Sequence, residues 1–192
     1  MQIEERFLIS APVDQVWAFL LDTQSVADCV PGCEAVECSG ENSYTARMKV
    51  KVGPISANFD VQIDITEMAP PARLKSVIKG KDSRVASSLN ASTVLDLVDL
   101  GSAGTEFHYR TDVSVFGRLG KFGEGVMREK AREYGERFAA SVKEKLEGGG
   151  AAEPSGDAGN GEDGRSVGRV RRLVSWAARL PGCRAAAGKN GD

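Results

Sequence analysis

Residues 44–116 alternate between apolar and polar positions over several long stretches. Tyr44, Ala46, Met48, Val50 and Val52 interleave with Thr45, Arg47, Lys49 and Lys51. Gly53-Pro54 interrupts the run, after which Phe59, Val61, Ile63 and Ile65 alternate with Asp60, Gln62 and Asp64. A period of two is that of a strand with one face buried. Similar patterns predict strands over about 72–80, 84–98 and 105–116, the last alternating Phe107, Tyr109, Val113 and Val115 with His108, Arg110, Asp112 and Ser114. Pro70-Pro71 ends the strand before them. A further short strand is expected at Ile3–Ile9. Strands with one apolar and one polar face imply an antiparallel sheet covered on one side.

Two regions carry the helical period instead. Ser10-Ala11-Pro12 starts a helix in which Val13, Val16, Trp17 and Leu20 recur at helical spacing, and a short second helix is expected over Ser25–Cys29 before the Pro31-Gly32 turn. A long helix is expected from about Arg118 to Leu146, with Phe122, Val126, Met127, Ala131, Tyr134, Phe138 and Val142 as one stripe. The predicted order is strand, two short helices, about six strands, one long helix. One helix cannot fill the concavity of a strongly curved sheet, so an apolar cavity between them is expected. Its lining would comprise Tyr44, Met48, Val50, Phe59, Ile63, Phe107 and Tyr109 from the strands and Phe122, Val126 and Tyr134 from the helix.

That lining holds no ionisable group except tyrosines, which argues against a general acid or base facing the ligand. Asp60, Asp64 and His108 fall on polar strand faces. A tyrosine hydroxyl at 44, 109 or 134 can meet a ligand carbonyl or simply reach solvent or backbone. The glycines of Phe116–Gly125 lack the Ser or Thr that a phosphate loop needs after its lysine, because Phe122 follows Lys121. They read as a flexible junction that lets the cavity mouth open. Cys29, Cys33, Cys38 and Cys183 are irregularly spaced and the chain has one histidine, so no metal site is expected.

Charge divides the 192 residues into three parts. Residues 1–147 carry 18 Lys and Arg against 22 Asp and Glu. Residues 148–164 hold seven glycines and four acids, the composition of a disordered tether. Residues 165–192 carry seven bases against Asp192 alone. The small net charge of -2 therefore hides an acidic body and a basic tail and gives no global pull toward nucleic acid. On a helical projection, Val167, Val170, Leu173, Val174, Ala177 and Leu180 form an apolar arc opposite Arg165, Arg169, Arg172 and Arg179, with Arg171 at the polar edge. Trp176 falls among the arginines, a suitable place for an indole at headgroup level. The segment is expected to bind an anionic membrane surface; an amphipathic helix docked on the body or a partner is the alternative. No apolar run approaches the roughly 20 residues of a membrane span. The first residues are acidic where a signal peptide needs bases, so a cytoplasmic protein, peripheral on the inner face of the membrane, is expected.

Five stretches carry a family resemblance. They are Ile9-Ser10-Ala11-Pro12-Val13-Asp14-Gln15-Val16-Trp17, Cys29-Val30-Pro31-Gly32-Cys33-Glu34, the run from Lys49-Val50-Lys51-Val52-Gly53-Pro54 to Phe59, Ala69-Pro70-Pro71-Ala72-Arg73, and Gly104-Thr105-Glu106-Phe107-His108-Tyr109. Over about residues 1–146 the chain resembles the carbon monoxide dehydrogenase G-subunit family of the START and pollen-allergen-like superfamily. The resemblance implies an α+β helix-grip fold, a curved antiparallel sheet wrapped on a long C-terminal helix. It implies a non-enzymatic protein that brings a molybdenum-containing carbon monoxide dehydrogenase, or a related molybdenum hydroxylase, to the membrane. A lipid-like ligand, in particular the membrane quinone that accepts the enzyme's electrons, is implied as the bound group, with no covalent cofactor. A purely structural anchor and a polyketide cyclase or aromatase are the alternatives. The chain departs from the family at Val61, where glycine is frequent, and over Lys81–Asn90, which is often glycine-rich. Both changes would narrow the cavity or stiffen its rim.

Overall fold

A computed structural model of the chain describes residues 1–148. The expected tether at 148–164 and basic segment at 165–192 lie outside the described residues, apart from Gly148. The elements follow in the order β1 (Gln2–Ile9), α1 (Val13–Leu21), α2 (Thr23–Cys29), β2 (Cys33–Gly40), β3 (Ser43–Val52), β4 (Ile55–Ala69), β5 (Arg73–Asp82), β6 (Ser87–Asp99), β7 (Thr105–Gly117) and α3 (Glu124–Glu147). The seven strands form one antiparallel sheet in the order β1-β7-β6-β5-β4-β3-β2. The sheet is a chain of hairpins from β2 to β7, extended at its far edge by β1 pairing with β7. It is curved, and α3 lies on its inward side with its nearest approaches to β1, to α2 and to the turn before α3.

Local chemistry sets the boundaries. Pro12 starts α1 from an extended backbone, and its carbonyl accepts from the N–H groups of Gln15 and Val16. Asp22 caps α2, accepting from the Ser25 N–H at 3.3 Å and its hydroxyl at 2.8 Å. This cap starts α2 two residues earlier than the sequence pattern predicts. Gly32 turns the chain into β2 at φ 79°, and a Cβ there would stand 2.2 Å from the Lys49 carbonyl. Only glycine fits that approach.

Two expectations require correction. The sequence pattern did not place β2, whose half-exposed edge position gives it no clean alternation. The long helix does not begin at Arg118. Leu119–Phe122 forms a 3-10 turn, and Gly123, at φ 83°, breaks the path before α3 starts at Glu124. Phe122 is therefore not on the stripe of α3. It packs with Leu119 against β3 and β4, while Val126 in the first turn of α3 is 43 % exposed.

The core is double. One cluster gathers Ile9, Trp17, Leu95, Leu97, Phe107, Val142 and Leu146 between the sheet, α1 and the C-terminal half of α3. The other gathers Val52, Phe59, Val61, Leu119 and Met127 under the N-terminal end of α3. The second cluster is closed by the β5–β6 turn, which Asp82 holds. Its buried carboxylate accepts from the backbone N–H groups of Asn58, Arg84 and Val85. Burial pushes this carboxyl up, but those N–H groups and the Arg84 charge outweigh it and leave it below its usual range. A lowered native pKa contributes stability above the unfolded value and loses it as pH falls through the native one. Asp82→Ala is expected to cost about 2–3 kcal/mol at pH 7. The difference from the unmodified protein should shrink below about pH 4, as urea melts at both pH values would show.

Candidate functional site

A single row of inward positions separates the two clusters. It runs across five strands as Ile65, Ser76, Thr93, Thr111 and Ile3, paired in register apart from the β-bulge after Ile65. The centre of the row is polar. Ser76 is 8 % exposed, and its hydroxyl makes no hydrogen bond to a described residue. The Thr93 and Thr111 hydroxyls lie 3.0 Å apart and share one hydrogen bond, which leaves one donor free.

The next row carries Leu74, Leu95, Tyr109 and Glu5, again in register. Tyr109 and Glu5 reach α3 at Gly135. A Cβ on Gly135 would stand 2.6 Å from the Tyr109 hydroxyl and 3.4 Å from the Glu5 side chain, so this glycine lets the helix close onto both. Burial, with the Glu5 charge adding to it, pushes the Tyr109 hydroxyl up to about 12. At neutral pH Tyr109 is therefore a hydrogen-bond donor, with the Glu5 side chain beside it on the neighbouring strand.

Around this row the inward face is apolar and incompletely covered. Tyr44, Met48, Val50, Ile63 and Ile78 face inward yet are half-buried, because α3 lies nearer the β1 side of the sheet. Tyr134 extends from α3 toward the opposite side. Its hydroxyl is 3.7 Å from where a Cβ on Gly32 would be, and Lys130 lies over its ring at 5.1 Å. This half-covered apolar face, the recess, lies beside the hydroxyl row, whereas Glu5 and Tyr109 are held against α3 at Gly135. The recess can take up a ligand with an apolar body and one hydrogen-bonding end.

The sequence-derived lining divides accordingly. Tyr44, Met48, Val50 and Ile63 stand half-buried on the inward face, the last three packed against the second core cluster; Tyr109 packs against the first, and Tyr134 stands half-buried on α3. Phe59 and Phe107 are 2 % and 0 % exposed and belong to the two cores. Phe122 packs in the second core, and Val126 is exposed. The membrane-binding residues Arg165, Arg169, Val170, Arg171, Arg172, Leu173, Val174, Trp176 and Leu180 lie outside the described residues. Sequence reasoning missed Ser76, Thr93, Thr111, Glu5 and Gly135. The inward face is therefore not free of ionisable groups other than tyrosine, because Glu5 stands on it. His108 does fall on the outward face, 2.8 Å from Glu4.

That outward face also holds an open cleft of about 660 Å³, bordered by Arg47, Asp60, Gln62, Lys79, Lys81 and Asn90. Its charged rim does not suit an apolar ligand. Among the described residues no helix is long and apolar enough to cross a membrane.

The profile of the CoxG family, the G-subunit of carbon monoxide dehydrogenase, matches residues 6–147. The chain belongs to this family. The CoxG match runs from the middle of β1 through the rest of the sheet, both core clusters and α3. No curated protein matches the chain. Solved structures share the fold. A conserved protein from Geobacillus kaustophilus superposes with a TM-score of 0.72 at 22 % identity, covering 77 % of this chain and 96 % of that one. A START superfamily protein from Mycobacterium smegmatis gives 0.60 at 14 % identity, covering 77 % and 97 %. An aromatase/cyclase from a Streptomyces species gives 0.51 at 21 % identity, covering 78 % and 92 %. The CoxG chain thus has the START-like helix-grip fold, with a curved antiparallel sheet and a long C-terminal helix.

Proposed function

We propose that this CoxG-family protein holds a membrane quinone against the inward face of its sheet and links carbon monoxide dehydrogenase to the inner membrane surface, without catalysing a reaction itself. The hydroxyl row carries this reading. An isoprenoid chain suits the apolar recess, and a quinone ring carbonyl can accept from Ser76, Thr93 or Tyr109. The reduced form gains hydroxyl donors, and Glu5 offers the acceptor. The family's name supplies the partner enzyme, and the basic segment at 165–180 supplies the membrane contact.

Native mass spectrometry of protein purified from its own host tests the ligand. A quinone-mass adduct is the expected result, and a bare chain under conditions that preserve other lipid adducts would favour a purely structural anchor. A chain ending at Gly148 should keep the adduct, because the core elements all precede that point. It should lose salt-sensitive tethering to anionic vesicles. The paired Glu5 and Tyr109 also favour a second reading, an aromatase or cyclase acting on a bound polyketide. Turnover of a polyketide substrate that Glu5→Gln abolishes would select it.

A further inference from the structure

The described body is acidic as a whole, yet its charge is not evenly spread. The β3–β4 turn, the β5–β6 turn and the β7–α3 junction assemble at one end of the sheet. Val52 pairs with Ile55, Asp82 with Ser87 and Ser87 with Gly117, and a Cβ on Gly53 would lie 3.4 Å from the Phe122 ring. Six cations cluster there. Lys49 and Lys51 flank the first turn, Lys81 and Arg84 the second, and Arg118 and Lys121 the junction. All six are exposed, and none forms an ion pair with a described residue. The nearby acids are already engaged. Asp82 is buried against backbone N–H groups, Glu124 pairs with Arg128, and Asp60 lies 3.9 Å from Arg47.

The same end exposes large apolar side chains. Phe116 is 53 % exposed, next in register to Ser88 and through it to Lys81, and Val126 is 43 % exposed in the first turn of α3. Among the described residues the other exposed large apolar side chains, Leu8, Val98 and Leu100, sit at the opposite end beside Asp99 and Glu106. An anionic surface would be repelled there. Unpaired cations around exposed apolar side chains fit an anionic lipid interface, where the charges meet headgroups and the apolar groups enter the acyl boundary.

We infer that this end of the folded body is a second membrane-contacting surface, which seats on anionic phospholipid through Lys51, Lys81, Arg84, Arg118 and Lys121 with Phe116 and Val126 inserted. It is separate from the basic segment after residue 164 and does not depend on which ligand the recess holds. The segment would tether the protein, and this surface would fix the orientation of the body. It would also bring the N-terminal end of α3, which covers the second core cluster, down onto the lipid.

Hydrogen exchange of the full chain with mixed phosphatidylglycerol and phosphatidylcholine vesicles tests this. Slower exchange over residues 49–56, 82–87 and 116–127 is expected, absent with phosphatidylcholine alone and weakened by salt. The full-length variant Lys51→Glu, Arg84→Glu, Arg118→Glu, Lys121→Glu should lose that protection, with vesicle partitioning reduced more than ~10-fold. Phe116→Ser should reduce partitioning while leaving its salt dependence. If the glutamate variant does not fold, the same four positions changed to glutamine serve instead, and the exchange map of the unmodified chain stands without either. Protection confined to residues beyond 148, or partitioning unchanged in the folded variant, would overturn the inference. So would capture of an acidic protein by this end with no vesicle protection.

Discussion

Replacing Phe107 with alanine is expected to remove about 3–5 kcal/mol of stability. For a body of this size that corresponds to a fall in Tm of roughly 8–15 °C. Phe107 is 0 % exposed and stacks on Phe7 with ring centroids 4.7 Å apart. It also makes edge contacts with Tyr109 at 6.3 Å and Phe138 at 6.1 Å. Its neighbours come from β1, β7 and α3, which the rest of the fold holds in place. The gap left by the ring would therefore collapse only in part, which puts the cost at the upper end of the range for such truncations. Thermal and urea melts measure it. A loss below about 1 kcal/mol, accompanied by room for a larger ligand, would move Phe107 from the core to the recess wall.

The strand pattern made most of the sheet legible, because six of the seven strands alternate over most of their length and most are bounded by glycine or proline. β2 escaped because an edge strand buries little of either face, so residues 33–40 show no period. The start of α3 was misplaced because apolar spacing alone does not reveal that Gly123 takes a positive φ. The candidate site was half legible. Tyr44, Met48, Ile63 and Tyr109 follow from the alternation. The polar row does not appear if only apolar residues are counted on the inward face. Its signal is phase: Thr111 lies between Tyr109 and Val113, Ser76 between Leu74 and Ile78, Thr93 between Ala91 and Leu95, and Glu5 between Ile3 and Phe7. Each is a polar residue in an apolar phase. Gly135 had no comparable signal, since its role depends on where the Tyr109 hydroxyl ends.

The same structure separates recess from core at Met48. Met48→Trp is expected to lower affinity for a short-chain menaquinone by more than ~10-fold while changing stability by less than about 1 kcal/mol. Met48 lies on β3 opposite Phe59, but unlike Phe59 it is only half-buried. Its unbranched side chain packs against the second core cluster from the half-covered side and stays partly exposed. An indole there extends into the space a ligand would occupy, and tryptophan is well suited to a strand. Were Met48 enclosed instead, the larger ring would strain its neighbours and cost about 1–3 kcal/mol, with no selective effect on the ligand. Quinone titration monitored by fluorescence, run beside a urea melt, distinguishes the two results. Full affinity in a folded Met48→Trp protein would place the ligand elsewhere on the molecule. Weakened binding at unchanged stability would place it against the inward face of β3.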